Sequence, residues 1–205
     1  MKQTQNQFFG LESQKPFNLP KGSIYVSVDI GKVYIYDHNE AAILVGDNGL
    51  GWASYSSNNY TTSSRLSISQ GETKIVDINK SSFIEKYLPH GVKTFYDKDT
   101  SSITPENVGD GYSFTLGFKG SSNTNNGSAT IGIDIGGVNG QIFKRSFRFP
   151  RGTGIDHDFY YTSQGYSLND FVSNGGKIKI TSDTGTSELF NFTLQVHRTF
   201  SSKNM

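Results

Sequence analysis

Residues 111–118 read GYSFTLGF, and this stretch decides the fold class of the chain. Its aromatic and aliphatic side chains stand at every second position, with Ser, Thr and Gly between them. Because successive side chains of a β-strand point to opposite faces of the sheet, the alternation predicts a strand with one buried and one solvated face. The pattern returns in IGIDI at 131–135 and in FNFTL at 190–194. The chain is therefore predicted to be all-β.

Turn-forming residues separate these alternating stretches. Gly, Asn, Ser and Thr cluster at residues 120–127, 136–140, 152–154, 174–176 and 182–185. Short strands divided by such turns are typical of an antiparallel β-sandwich, and we predict a jelly-roll-like topology. The 23 Gly, 15 Phe and 11 Tyr among 205 residues suit a protein of turns and half-buried strands.

The composition divides the chain into three predicted parts. Residues 1–22 are polar, contain two prolines and are predicted to form an extended anchoring arm. Residues 23–64 are predicted to hold a small β-hairpin unit, followed over 47–64 by a linker rich in Gly, Ser and Asn. Residues 65–205 are predicted to form the sandwich, which is most regular in 110–200.

One stretch departs from the strand pattern. Residues 80–88, KSSFIEKYL, place four apolar side chains on one face of a helix, and Pro89 stops the pattern. We therefore predict a short helix there.

Charge and cysteine content exclude several functional classes. The net charge of +1 gives no electrostatic basis for a nucleic-acid partner. The absence of cysteine excludes disulfides, thiolate metal sites and cysteine nucleophiles. One basic run alternates partly with phenylalanines and is predicted to be the solvated face of a strand whose Phe side chains are core. It consists of Lys144, Arg145, Arg148 and Arg151.

Targeting and membrane signals are missing from the sequence. Residues 1–10 lack the apolar segment of a signal peptide. No stretch approaches the roughly 18 apolar residues of a membrane span. We therefore expect synthesis in the cytoplasm without a signal peptide, and no membrane insertion.

The sequence shows no arrangement typical of catalysis. Asp156-His157-Asp158 is the best candidate for a metal or acid–base cluster, but neighbouring strand positions point to opposite faces, so three convergent ligands are not expected. The chain also lacks a Gly-x-Ser-x-Gly nucleophile elbow. We predict no enzymatic activity, no catalytic residue, no cofactor and no metal.

Apolar side chains in the arm are candidates for partner binding. They are Phe8, Phe9, Leu11, Phe17 and Leu19. Either they pack back on the chain itself or they dock on a partner, and the sequence leaves both interpretations open.

Aromatic side chains in the sandwich are candidates for glycan stacking. They are Tyr160, Tyr161 and Tyr166, with Trp52 as a further possibility in the linker. Packing in the core or at its rim is the competing interpretation of all four.

Residues 22–37, GSIYVSVDIGKVYIYD, resemble a short hairpin module of tailed-phage virion proteins. In fibre, head-fibre and decoration proteins of that kind, the hairpin follows a polar N-terminal arm. The present chain departs from the module after the second strand, where residues 39–42 replace an aromatic residue. The C-terminal half is similar in style to the jelly-roll tip domains of such proteins.

The resemblance implies a homotrimer whose arm attaches to a capsid or tail protein and whose residues from about 100 to 205 face outward. It predicts a non-enzymatic virion structural protein, such as a head fibre, capsid decoration or tail-fibre subunit, made in the host cytoplasm. The alternative is a lectin-like module that binds host surface glycans, and both descriptions can hold together. A glycan hydrolase is a third hypothesis, for which the sequence nominates no carboxylate.

Overall fold

The computed structural model describes residues 7–28, 32–37, 42–44, 49–89 and 91–202, with the backbone alone at 42–44. Contacts within the chain divide it into two units, Met1–Gly49 and Leu50–Met205. Nearly all regular structure in both units is β-strand. The prediction of an all-β chain is confirmed.

The first unit is a single four-stranded sheet. Its strands are β1 (Gln7–Gly10), β2 (Ile24–Ser27), β3 (Lys32–Tyr36) and β4 (Ala42–Leu44). They lie side by side in that order, with β1 parallel to β2 and the other neighbours antiparallel. A single-turn 3-10 helix, Glu12–Gln14, follows β1. β2 and β3 form the hairpin that the sequence predicts.

The arm differs from the extended segment predicted for residues 1–22. From residue 7 it folds back on its own sheet, first as β1 and then through hydrogen bonds from tyrosine hydroxyls. Tyr25 donates to the carbonyl oxygen of Leu11 at 2.7 Å, and Tyr36 donates to the carbonyl oxygen of Pro16. A Cβ at Gly10 would lie 2.6 Å from the Tyr25 hydroxyl oxygen, so this close passage requires glycine. Main-chain pairing and phenol donors thus hold the arm in place.

The second unit is built from strands and one short helix. The strands are β5 (Gly51–Ser56), β6 (Leu66–Ile68), β7 (Thr73–Ile75), β8 (Ser82–Ile84), β9 (Tyr96–Asp97), β10 (Ser102–Ile103), β11 (Gly111–Ser122), β12 (Ser128–Asp134), β13 (Gln141–Arg148), β14 (His157–Tyr166), β15 (Lys177–Thr184) and β16 (Ser187–Phe200). The helix is α1 (Asn169–Asn174), which buries Phe171.

Nested antiparallel pairs make this unit a jelly roll. The innermost pair is β12–β13, and β11–β14, β7–β15 and β5–β16 enclose it in turn. Successive pairs lie on alternate sheets, so one long double-stranded ribbon is rolled into a sandwich. The first sheet has the order β14-β11-β16-β5-β8, and the second has β13-β12-β15-β7. This strand order confirms the predicted topology.

The core lies between the two sheets and is rich in aromatic rings. The ring of Phe118 on β11 lies 5.4 Å from Phe147, 5.4 Å from Phe159 and 5.6 Å from Phe192, measured between centroids. The second sheet contributes buried isoleucines. They are Ile131, Ile133, Ile178 and Ile180. Each lies on the inner face of its strand, as the alternation of the sequence predicts.

A strand occupies part of the segment predicted to be a linker at 47–64. β5 lies between β16 and β8 and buries Ala53 and Tyr55. Its sequence, GWASYS, has only one large side chain on the inner face, so the alternation that marks a strand is weak. Hydrogen bonding to two neighbouring strands compensates for that weakness.

The helix predicted for residues 80–88 is wrong. Ser82–Ile84 forms β8 and pairs with β5, and Phe83, Ile84 and Tyr87 are exposed. The preceding Lys80 has a φ of 53°, which no right-handed helix accommodates. Tertiary pairing therefore overrides a helical pattern that spans only nine residues.

A buried ion pair fixes the end of the last strand. Arg198 Nη1 lies 3.4 Å from Asp110 Oδ2 and 3.4 Å from Glu106 Oε2. The other oxygen of Asp110 accepts hydrogen bonds from the main-chain N–H and the hydroxyl of Ser202, at 2.8 and 2.9 Å. Burial raises the pKa of Asp110, but the hydrogen bonds from Ser202 and Asn107 and the charge of Arg198 outweigh it and hold the pKa below its usual value.

We expect Asp110→Asn to lower the free energy of unfolding by about 2–3 kcal/mol at pH 7, because Arg198 then loses a buried charged partner. The lowered pKa of Asp110 sets the sign of the pH dependence. The stabilisation is complete above the unfolded pKa of about 3.9 and is lost as the pH falls through the lower folded value. The unfolding free energies of the wild type and the variant should therefore converge at low pH. Urea denaturation of both proteins from pH 7 to pH 2 measures this difference.

The matched control is Asp158→Asn, since Asp158 forms an exposed ion pair with Lys119 at 3.4 Å. Exposed pairs contribute less than about 1 kcal/mol. Equal losses in the two variants would contradict the stabilising role of the Asp110 network.

Candidate functional site

The sheet of the first unit has two apolar faces. One carries Tyr25, Tyr34 and Tyr36, which are buried, and Phe8 and Leu19 from the arm pack against them. The hydroxyl of Tyr34 donates to Glu12 at 2.5 Å, so it joins the tyrosines that hold the arm. This face is therefore covered from within the chain.

The opposite face, here called the apolar face, consists of Phe9, Ile24, Val26, Val33 and Ile35. Register places Ile24 opposite Ile35 and Val26 opposite Val33, with Phe9 beside Val26. Phe9 is 66% exposed and Ile35 38% exposed, and the other three are only half-buried. A sheet face of clustered apolar side chains that water still reaches is typical of an interaction surface.

The five arm residues predicted to bind a partner fall into two groups. Phe8 and Leu19 contact the tyrosine cluster of their own unit. Phe9, Leu11 and Phe17 are exposed, and 91% of the Phe17 surface is accessible. Phe8 and Leu19 therefore pack back on the chain itself, while partner binding by Phe9, Leu11 and Phe17 stays a prediction.

The jelly roll has an open edge where β13 and β14 lie at the ends of their respective sheets. Between these strands is a cleft of about 290 Å³, called here the edge cleft. Its apolar floor consists of Phe118, Phe147 and Phe159. Its lining also includes the exposed residues Arg145, Arg148 and Tyr160.

Arg145 belongs to the inner face of its strand. It stands opposite the buried Ile131, and Phe147 stands opposite the buried Ala129, so both side chains share the core-facing side. The basic run is exposed at all four positions, as predicted, but Arg145 lies on the same side of β13 as Phe147 and not on the opposite face.

A bulge interrupts β13 two residues before Arg145. The register between β12 and β13 shifts between Ile131 and Ile133, and Phe143 has a φ of 54°, which is rare for a bulky residue. The Tyr161 hydroxyl donates to the Phe143 carbonyl oxygen at 2.6 Å. A Cβ added to Gly165 would lie only 2.4 Å from Cζ of the Phe143 ring. Glycine on β14 thus makes room for the bulge.

The electrostatics of the cleft are positive. In the described part of the chain, no ion pair involves Lys144, Arg145, Arg148 or Arg151. Burial raises the pKa of Tyr161, while a hydrogen bond with Ser163 and the charge of Arg145 act in the opposite direction. Arg145 and Tyr161 both line the cleft. The single carboxylate on β14, Asp158, is paired with Lys119.

The three tyrosines predicted to contact a glycan differ in accessibility. Tyr160 is 75% exposed, with its ring over Gly117 on the outer face of the first sheet, and Tyr166 is 64% exposed and packs edge-on against Phe200. Tyr161 is only 4% exposed and points into the core, so its ring face is not available to a ligand. Their neighbouring positions on one strand explain the difference, because the strand alternates between faces.

Trp52, the fourth aromatic candidate, is engaged within the chain. Its ring stacks on Tyr87 at 4.9 Å and on His197 at 6.0 Å. The ring therefore serves packing on the outer side of the first sheet.

Asp156-His157-Asp158 does not form a metal site. Both oxygens of Asp156 accept from Arg65, at 2.6 and 2.9 Å, and Asp158 pairs with Lys119. The hydrogen bond from Arg65 is the main reason that the pKa of Asp156 is lowered. Across the segments that the structure describes, no group of three or more His, Cys, Asp or Glu side chains is placed to hold a metal.

Comparisons with known proteins give likenesses of fold only. No family model matches the chain, and no curated protein matches it. Among solved structures, it is similar to PRD1 vertex protein P5, at 15% identity and a TM-score of 0.43, with 90% of this chain and 85% of that chain covered. It is also similar to Eiger TNF from S. frugiperda, at 11% identity and a TM-score of 0.47, with 75% and 95% covered.

Further similar structures include a Family 16 Carbohydrate Binding Module-2, at 11% identity and a TM-score of 0.33, covering 68% of this chain and 82% of that chain. Another is the infectious bursal disease virus VP2 subviral particle, at 9% identity and a TM-score of 0.28, covering 82% and 64%. Viral capsid or vertex proteins and carbohydrate-binding modules thus both occur among the neighbours. At TM-scores below 0.5, none of them assigns a function to this chain.

The described residues include one α-helix, which is six residues long. No helix among them combines the length and the apolar character needed to cross a membrane.

Proposed function

We propose that this chain is a non-enzymatic structural protein of a virion, of the head-fibre, capsid-decoration or tail-fibre kind. In this proposal it assembles through its first unit and leaves its jelly roll available to other molecules. The observation that carries the proposal is the apolar face of the first unit, on which Phe9 and Ile35 are exposed within the part of the chain that the structure describes.

The energetics of the first unit favour an assembly role. Its own cluster has only three buried tyrosines with Phe8 and Leu19 against them. A unit of about 50 residues that is built on one sheet of short strands rarely buries enough apolar surface to be stable alone. Complete burial of a Val, Ile or Phe side chain contributes about 1.5–3 kcal/mol. Covering the apolar face would therefore supply stability that the unit lacks.

We assign the apolar face to contacts between identical chains. Sharing that face among copies satisfies every copy at once, as in closed symmetric oligomers. The hairpin that resembles the phage virion module is the same element that carries the face, and the resemblance implies a trimer. Leu11 and Phe17, exposed on the arm, are then free for the capsid or tail protein that holds the assembly.

We expect Ile35→Asp to dissociate the oligomer, because it places a carboxylate in the middle of the shared face. Light scattering coupled to size exclusion should give about three times the 22.6 kDa chain mass for the wild type and the single-chain mass for the variant. Val138→Asp is the control, since Val138 is fully exposed in a loop of the jelly roll. A wild type that runs as a stable monomer at micromolar concentration would refute the assembly role.

Attachment to a particle is tested separately. Antibody-gold labelling of virions purified from a culture that makes this chain should decorate a fixed site on each particle. The double variant Leu11→Ser and Phe17→Ser should form the same oligomer but wash off the particles, because it loses exposed apolar contacts of the arm. Val138→Ser should remain attached. Unlabelled virions alongside soluble wild-type protein would overturn the structural role.

A further inference from the structure

We propose that the outer face of the first sheet binds a neutral, extended polysaccharide, which lies in a shallow groove along β11 and stacks on Tyr160 and Tyr166. This inference concerns the jelly roll and goes beyond the assembly function, on which it does not depend.

The groove has a floor of small side chains. The pairing of β11 with β14 and β16 places Gly111, Ser113, Thr115 and Gly117 on the outer face, and all four are buried or half-buried. The outward side chains of the two flanking strands are exposed. They are Tyr160, Thr162, Gln164 and Tyr166 on β14, and Thr193 and Gln195 on β16. β11 is therefore the bottom of a trough, here called the β11 groove.

An exposed tyrosine stands opposite a glycine at each end of the groove. Gly117 pairs with Tyr160, and Gly111 pairs with Tyr166. The Tyr160 ring lies over Gly117, where an added Cβ would be 3.3 Å from Cε1 of the ring and 2.8 Å from Oγ1 of Thr193. Glycine thus lets the ring rest on the strand while most of its surface stays open to solvent.

The Gly111 end of the groove widens into a cavity of about 370 Å³. Tyr166 and Phe200 line it, with their rings edge-on at 6.2 Å between centroids, and Gln164 and Thr199 add polar groups. This volume lies at the lower end of the range of ligand pockets and suits one sugar ring.

The outer face of the first sheet lacks charge along this groove. From Tyr160 to Tyr166 and across to β5, none of the outward positions of the paired strands holds Asp, Glu, Lys or Arg. The outer face of the second sheet, in contrast, carries Asp134, Lys177 and Lys179. A charged ligand in the β11 groove would lose hydration without gaining an ionic partner, so the face favours a neutral one.

The distribution of polar and aromatic groups favours a sugar over a protein partner. Protein interfaces have an apolar centre and a polar rim. The β11 groove has the reverse arrangement, with Ser, Thr and Gln side chains in the middle and aromatic rings at the ends. Hydroxyl and amide groups both donate and accept, as sugar hydroxyls require, and the C–H face of a pyranose packs on an aromatic ring.

The spacing of the two tyrosines requires a chain of sugars. They are six residues apart on β14, which corresponds to about 20 Å at a rise of about 3.4 Å per residue. One monosaccharide cannot reach both rings. Because both lie along one strand, an extended chain such as a β-1,4-linked hexose polymer fits the groove better than a coiled one.

Titration calorimetry of the full chain with cellohexaose and with mannohexaose tests the proposal. We expect at least one of them to bind, with at least fivefold weaker affinity in Tyr160→Ala and in Tyr166→Ala. The two losses should multiply in the double variant, because the sites are far apart. Tyr160→Phe keeps the ring and should bind within about twofold of the wild type. Cellobiose is too short to reach both tyrosines and should bind at least tenfold more weakly than cellohexaose.

Two matched variants serve as controls. Phe83→Ala removes an exposed ring of the same sheet that stands opposite the buried Tyr55, on the other face. Arg148→Ala changes an exposed residue of the second sheet. Both should bind as the wild type does, and thermal unfolding checks that all variants fold.

Three results would overturn the proposal: no binding of either hexasaccharide at millimolar concentration, equally tight binding of hexagalacturonate, or affinity unchanged by both tyrosine substitutions. Tighter binding of a proline-rich peptide at the same residues would assign the groove to a protein partner instead. None of these variants alters residues 7–44, so the outcome is independent of the assembly tests.

Discussion

A β-sheet must cover each of its apolar faces, and this constraint organises both units of the chain. In the jelly roll, each of two sheets has one apolar face, and rolling the nested strand pairs brings the two faces together. The first unit has one sheet with two apolar faces, and the described part of its arm packs on the face that carries the tyrosines. In our proposal, identical chains cover the remaining face. The edge cleft follows from the same constraint, because the two sheets of the sandwich stop covering each other at β13 and β14.

The sequence predicts the parts of the fold in which alternation is strong. Long strands such as Gly111–Ser122 and Ser187–Phe200 have large side chains on one face and small polar ones on the other. The sequence does not predict β5 as a strand, because Tyr55 is the only large side chain on its inner face. The error at residues 80–88 has a different cause: pairing with β5 is a tertiary effect that local periodicity does not contain.

The candidate sites show the same division. Alternation alone separates Tyr160 from Tyr161, and counting back from Phe147 places Arg145 on the inner face, so both assignments could have been made from sequence. The cleft itself could not, because it depends on how far the two sheets separate at the edge that β13 and β14 form. The packing of the arm on the tyrosine face could not be predicted either, because it depends on hydrogen bonds from tyrosine hydroxyls to main-chain carbonyl oxygens of the arm.

The central claim is that identical chains bury the apolar face of the first unit. The chain contains no cysteine, so Ile35→Cys gives a single thiol on that face, and Val138→Cys gives one on an exposed loop. The rate of maleimide labelling should fall for the cysteine at position 35 as protein concentration rises through the assembly range, while the rate at position 138 stays constant. Labelling of position 35 that is as fast as at position 138 and independent of concentration would contradict the account.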